Sequence, residues 1–177
     1  MRTLPRRWFA RAAPLVAVEL LNKVVVVADC SGRIVEVEAY TRDDPASHSF
    51  RGETMRNAVM FGEAGHLYVY FTYGMHYCAN VVSGEIGDGQ AVLLRALQPL
   101  TGVEEMARRR GRTTNLTDGP GKLCQALGID LTMNGIALDD AGGLHIVDDG
   151  TPPPAAPRVG TRVGITKGAD TPWRWRV

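Results

Sequence analysis

The sequence predicts an α+β fold: a single domain with a mixed, mainly antiparallel, curved sheet, flanking helices and one protruding β-hairpin. Three observations lead there. Runs with period-two alternation and β-branched residues recur through the N-terminal half, segments with helical spacing stand before and after them, and turn residues separate the segments without any internal repeat. With 177 residues, 45% of them hydrophobic, the chain can bury one sizeable core, so residues 1–177 read as one domain.

Within residues 10–22, Ala13, Val16, Ala17, Leu20 and Leu21 share one helical face, and Pro14 falls where a first turn tolerates it, which predicts an amphipathic helix. The β-branched run 24–27, the turn residues Asp29, Cys30, Ser31 and Gly32, and the alternating run 34–40 predict a hairpin. Period two then sets Val35, Val37 and Ala39 on the core face and Glu36, Glu38 and Tyr40 on the other. After a polar loop over 41–57, the run 67–73 has high strand propensity and is closed by Gly74, and 76–82 returns as its partner. That hairpin carries Tyr73 and Met75 at its tip, where polar turn residues are usual, so the tip is expected to meet a partner.

Residues 90–97 form a further strand with Arg95 inside an otherwise apolar run, a placement that calls for a carboxylate or a ligand. Thr101 and Glu104 have the spacing of a capping box for a helix that runs through the arginines to Gly111. Pro120 opens a helix that continues over 122–127 and stops at Gly128. The proline-rich stretch 151–157 is a loop. The tail from Arg158, with Val163, Ile165, Trp173 and Trp175, is expected as terminal strand that closes the core.

Composition removes several function classes. The arginines near the N-terminus precede an apolar stretch interrupted by Pro14 and Glu19, so neither a signal peptide nor a membrane span is expected, and the predicted location is the cytoplasm, at the nucleoid in a bacterium. Cys30, Cys78 and Cys124 are widely spaced and read as buried small hydrophobes. The four histidines, His48, His66, His76 and His145, match no metal-ligand spacing, and no nucleotide or cofactor motif occurs, so neither metal nor cofactor is expected. The formal net charge is only +1, yet arginines number 17 of the 20 basic residues. Four of them, Arg108, Arg109, Arg110 and Arg112, form a cluster suited to bidentate phosphate contact or, equally, to offsetting a helix C-terminal dipole at a solvated end.

What remains for chemistry is a constellation of one glutamate, one arginine, several tyrosines and a histidine. In the segments 33–40 (RIVEVEAY), 46–49 (ASHS), 67–75 (LYVYFTYGM), 92–97 (VLLRAL) and 118–127 (DGPGKLCQAL), the chain closely resembles the alkyladenine (3-methyladenine) DNA glycosylase family, in the family's order and near its spacing, and more weakly at 162–165 (RVGI). The loop between Tyr40 and His48 is a residue shorter than in the mammalian members. The resemblance implies a monofunctional enzyme, a monomer acting on double-stranded DNA that contains a damaged purine. It implies that Glu38 is the general base for the attacking water and that Arg95 helps to hold that water. Tyr40, His48 and Tyr70 would sandwich the flipped base, Asn80 would crowd the exocyclic amine of normal guanine, and Tyr73, with Met75 beside it, would fill the space left in the duplex.

Elementary chemistry is consistent with those roles. A base inside a duplex must be extruded before it can be attacked, and its stacking replaced. An N-alkylated purine is cationic, and aromatic faces attract cations. One carboxylate and a positioned water then supply the nucleophile. Blander readings stand beside each role: the tyrosines as sheet surface, Glu38 and Glu36 as a solvated strand face paired with Arg95, and His48 as a loop cap. Lys122 is placed either as an amine nucleophile or, in a first helical turn, as support or a phosphate contact. A non-catalytic nucleic-acid binding module with an aromatic stacking platform is the alternative from another class, but it has no use for Glu38 or Arg95. A metal-dependent hydrolase using the histidines is a third.

Overall fold

The computed structural model describes residues 1–139, 141 and 143–177. Elements β1 (Arg2–Thr3), α1 (Arg6–Phe9) and α2 (Ala13–Leu20) lead into β2 (Val24–Val27) and a long β3 (Cys30–Tyr40). The hairpin β4 (Leu67–Thr72) and β5 (His76–Ser83) follows, then β6 (Gln90–Thr101), α3 (Val103–Arg110) and α4 (Pro120–Leu127), with β7 (Leu144–Asp148), β8 (Arg158–Gly160) and β9 (Arg174–Arg176) completing the chain. The strands join in one sheet of order β1-β7-β2-β3-β6-β5-β4, and every pairing among the described strands is antiparallel. The expected α+β class holds.

The five apolar positions predicted for the first helix face inward: Ala13, Val16, Ala17, Leu20 and Leu21 are all fully buried. The helix begins at Ala13 and not at residue 10, because Arg11 is turned back onto the carbonyl of Trp8 and pairs bidentately with Glu19. The first hairpin is tighter than its turn residues imply. Val27 pairs with Cys30 across Ala28 and Asp29, and Gly32 lies inside β3, where a Cβ would meet Leu97 Cβ at 2.9 Å. Its missing side chain serves a close approach of strands and not a turn.

Strand β3 is eleven residues long, but β2 covers only its first four. The free edge beyond is taken by β9, at Glu36, Val37 and Glu38, while β6 runs along the other edge. Register shifts in the β3–β6 ladder leave Val35 and Arg95 without cross-strand partners. This irregularity changes which side chains face inward: Ile34, Val37 and Ala39 are fully buried in the core, and Val35, expected there, is half-buried. A bulge also re-aims the residue it carries, and on β6 that residue is Arg95.

Two further expectations are corrected. Thr101 does not cap α3. It belongs to β6, and its hydroxyl bonds Ser31 Oγ at 2.7 Å and the carbonyl of Asp29, while the N-cap is Gly102 in the left-handed region at φ 67°. A Cβ there would lie 2.6 Å from Cys30 Sγ, so backbone crowding set this helix start. In the tail, Trp175 joins the core as expected, but Val163 is 48% exposed and lies with Ile165 in a loop between β8 and β9. Strand β7, which the pattern did not reveal, fills the place between β1 and β2. Among the described residues no helix is long and apolar enough to cross a membrane.

Candidate functional site

Period two on β4 sets Tyr68, Tyr70 and Thr72 on one face, opposite Asn80, Cys78 and His76 of β5. Asn80 in turn pairs with Leu93 of β6. These strands form the floor of a cavity of about 320 Å³, walled by Tyr40 at the end of β3, His48 from the 41–57 loop, Pro120 at the start of α4, and Val163 with Ile165 from the tail. Arg95 reaches it from the bulge in β6. Among the described residues, no group of three His, Cys, Asp or Glu side chains is placed to hold a metal ion.

Glu38 is completely buried behind the lining residues Tyr40, Arg95 and Val163, not on a solvated strand face. Its Oε2 accepts a 2.9 Å hydrogen bond from the Tyr40 hydroxyl, and its Oε1 accepts one of 2.8 Å from the backbone N–H of Val163. Arg95 Nη1 stands 3.3 Å from Oε1, while Arg95 Nε donates to Glu36 Oε1 at 2.9 Å. A carboxylate offers about four acceptor positions, and these three contacts use most of them. Arg95 is thus shared between two carboxylates, and Arg174 approaches the outer one, Glu36, at 3.5 Å. Burial disfavours the Arg95 charge, but Glu38 and Glu36 outweigh it and raise the pKa further.

The aromatic walls are coupled. His48 packs against Tyr70 with ring centroids 4.4 Å apart, and its Nδ1 is 2.9 Å from the Tyr68 hydroxyl. The residue is exposed at the cavity mouth, but the packed part of its ring is desolvated, which lowers its pKa, with Arg56 adding to the effect. Burial pushes the Tyr68 hydroxyl up to about 12, and burial together with the neighbouring Glu38 carboxylate raises that of Tyr40. Both phenols therefore remain hydrogen-bond donors. Asn80 is buried, and its Nδ2 donates to the carbonyl of Tyr68 at 3.1 Å, which holds the amide against the floor.

Tyr73 and Met75 stand at the hairpin tip, 78% and 68% exposed. Tyr73 adopts a left-handed backbone (φ 52°), as does Gly74. The fold therefore brings Tyr40, His48, Tyr70, Asn80 and Arg95 together around the cavity, with Tyr73 on the rim, and Glu38 joins them through its contacts with Tyr40, Arg95 and the Val163 N–H. Four of the five basic residues expected at the DNA backbone are paired within the protein. Lys122 pairs with Asp118 at 3.0 Å. Arg108 and Arg109 pair with Glu105, Arg109 also donates to the carbonyl of Ala126, and Arg110 donates to Gln125 Oε1. The last two contacts bind α3 to the C-terminal half of α4, about 8 to 9 Å along that helix from Pro120, and Arg112 is exposed beyond them.

Sequence reasoning missed the Val163 N–H and Ile165, both assigned to core-closing strand, and gave Arg162 no role beyond its place in the weak match over 162–165. The Arg162 side chain is wholly buried, ion-paired with Asp44, with its guanidinium 4.7 Å from the centroid of the Tyr40 ring. No periodicity marks it, since the tail around it is irregular; the weak match over 162–165 was the one available signal.

Comparison with known proteins bears on this geometry. Residues 7–177 match the family described as Methylpurine-DNA glycosylase (MPG). A protein of Burkholderia lata named "Putative 3-methyladenine DNA glycosylase" is 54% identical over 180 residues, covering 98% of this chain and 87% of its own. Proteins of the same name from Methanoculleus marisnigri and Carboxydothermus hydrogenoformans are 51% and 47% identical, covering 98% and 97% of this chain and 94% and 93% of their own.

Proposed function

The chain belongs to the methylpurine-DNA glycosylase family, and on that premise we propose that this monofunctional DNA glycosylase flips an alkylated or deaminated purine out of duplex DNA and hydrolyses its N-glycosidic bond with a water activated by Glu38. The substrate class is that of 3-methyladenine, 7-methylguanine, hypoxanthine and ethenoadenine. The observation that carries the reading is the buried Glu38 carboxylate, held by three residues that line an aromatic cavity, Arg95, Tyr40 and Val163 through its N–H.

In this reading the purine enters between Tyr40 on one side and His48 with Tyr70 on the other. A neutral His48 presents no like charge to a cationic base. Glu38 takes a proton from water held beside Arg95, the water oxygen bonds to the sugar C1′, and the glycosidic electron pair leaves with the purine. The products are an abasic site and the free base, which leaves neutral where the purine was cationic and takes a proton from solvent where it was neutral. Asn80, fixed by its bond to the Tyr68 carbonyl, crowds a purine that carries an exocyclic amine at that edge. Tyr73 and Met75 fill the gap in the stack. Arg108 and Arg112 are the members of the cluster exposed enough to meet flanking phosphates, and Lys122 can do so by giving up Asp118.

Duplexes that each carry one such lesion, incubated with enzyme and then cleaved with alkali at abasic sites, test the activity and rank the substrates. In Glu38→Gln the amide keeps the shape but cannot accept a proton, so base release should fall by roughly 100-fold or more while lesion binding persists. Near-normal turnover in that variant would remove Glu38 as the base.

A further inference from the structure

We propose that Arg162 is a positioning residue for base excision: it aligns Tyr40, Glu38 and the His48 loop from behind the cavity without touching substrate. The proposal rests on the reading of Glu38 as the base, since what Arg162 organises is the surroundings of that carboxylate.

The side chain is fully buried and does not line the cavity. A guanidinium is costly to bury unless it is paired and hydrogen-bonded, and the partners of this one are drawn from three separate segments. It ion-pairs with Asp44, itself buried, in the loop that carries His48. Its Nη1 donates to the carbonyl of Ala39 at 3.1 Å, one residue from both Glu38 and Tyr40. Its Nη2 donates to the carbonyl of Gly168 at 3.0 Å, in the tail loop that carries Ile165. The guanidinium also lies against two rings, 4.7 Å from the centroid of Tyr40 and 5.6 Å from that of Trp173, whose carbonyl accepts the Ala39 N–H.

Each contact fixes something the cavity uses. Tyr40 is supported behind the ring that walls the cavity, while its hydroxyl holds Glu38 Oε2. The next residue along the chain, Val163, gives its N–H to Glu38 Oε1, so the anchoring of Arg162 sets where that donor points. Asp44 holds the start of the turn that leads to His48. A buried ion pair whose only purpose was stability could sit anywhere in the core. This one joins the three segments that meet around the carboxylate, and an arginine is needed because a lysine lacks the planar fork and the stacking face.

The test compares Arg162→Lys, which keeps a charge for Asp44, with wild type on a duplex carrying a single hypoxanthine. Measured quantities are the single-turnover rate of base release, the affinity for the same duplex, and the melting temperature. Misplacement of reacting groups by a fraction of an ångström to an ångström costs up to roughly 100-fold in rate. The expected result is therefore a rate lowered by roughly 10- to 100-fold with affinity within about threefold of wild type. Arg33→Lys, at the Arg33–Asp149 ion pair away from the cavity, is the comparison for a purely structural role: its melting temperature falls and its rate at a temperature where it is folded does not. A wild-type rate in folded Arg162→Lys overturns the proposal, as does a loss of rate no larger than its loss of affinity. If Arg162→Lys does not fold, the same split is read in Asp44→Asn, and if neither folds the pair is structural and the proposal fails. Full turnover in Glu38→Gln would strike the base assignment instead, and that result is separate from the rate split at Arg162.

Discussion

The Tyr40 hydroxyl and the Glu38 carboxylate, two residues apart on the same face of β3, are joined by a 2.9 Å hydrogen bond behind the cavity wall that Tyr40 forms. Alternation along the strand makes them neighbours, and burial of Glu38 makes the bond matter, because an unsatisfied buried acceptor is expensive. Tyr40→Phe should lower stability by about 1 to 3 kcal/mol. Base release should slow by about tenfold, the equivalent of one ordinary hydrogen bond lost at the reacting group. Thermal melts and single-turnover kinetics check the two numbers; an unchanged rate would mean that the hydroxyl is dispensable to the base.

Tyr73 has little to lose from truncation in the folded state, since its side chain is mostly exposed. Tyr73→Ala should change stability by no more than about 0.5 kcal/mol. Under the proposed wedge role it should also reduce the flipped population, because an aromatic side chain inserted in the duplex would replace stacking worth about 1 to 3 kcal/mol. The positive φ adds a second expectation: Tyr73→Gly relieves left-handed strain and should melt higher than Tyr73→Ala by about 1 kcal/mol in stability. Fluorescence of 2-aminopurine placed beside the lesion reports flipping, and a large drop in melting temperature for the alanine variant would transfer the wedge role to Met75.

Lys122 does not line the cavity, and its amine pairs with Asp118 outside it, so it is not placed to reach a sugar carbon there. Borohydride added during turnover should trap no enzyme–DNA adduct, and Lys122→Ala should release base at the wild-type rate. An imine trapped in wild type and lost in Lys122→Ala would show lyase chemistry. Activity should also survive EDTA.

His48 carries a pH signature. Its folded pKa is held below 6.5, first by desolvation and then by Arg56. As pH falls through about 6.5 the unfolded chain takes up the proton first, so the unfolded state binds more protons and the folded state loses ground until its own lower pKa is reached. Urea unfolding at about pH 7 and about pH 5 should therefore show wild type losing stability relative to His48→Gln. A difference independent of pH would contradict the lowered pKa.

Local physics made a good part of this protein legible from sequence. The inward face of α2, the hairpin β4–β5 with Tyr73 and Met75 exposed at its tip, the start of α4 at Pro120 and its stop at Gly128 all follow from spacing, strand propensity and backbone preference within a few residues. The sequence resemblance named the residues that the cavity brings together, since Glu38, Tyr40, His48, Tyr70, Asn80 and Arg95 lie in blocks of recognisable order.

Tertiary contact decided the rest. Alternation placed Glu38 off the core face, but only the packing of Arg95, Tyr40 and the tail loop over it turned a strand glutamate into a fully buried one. The bulge that frees Arg95 and exchanges Ile34 for Val35 depends on the register between two strands, which no single strand encodes. The capping box at Thr101 had the right letters, but its threonine was claimed by a sheet whose hydrogen bonds start at Asp29 and Ser31. The tail is the clearest case. Val163 and Ile165 look apolar enough for a core, and Arg162 resembles any surface arginine, until a loop without periodicity is laid against the end of β3 and a buried Asp44 stands opposite. Spacing along a chain reports which face a residue occupies, whereas the partner that meets that face is chosen by elements more than a hundred residues away.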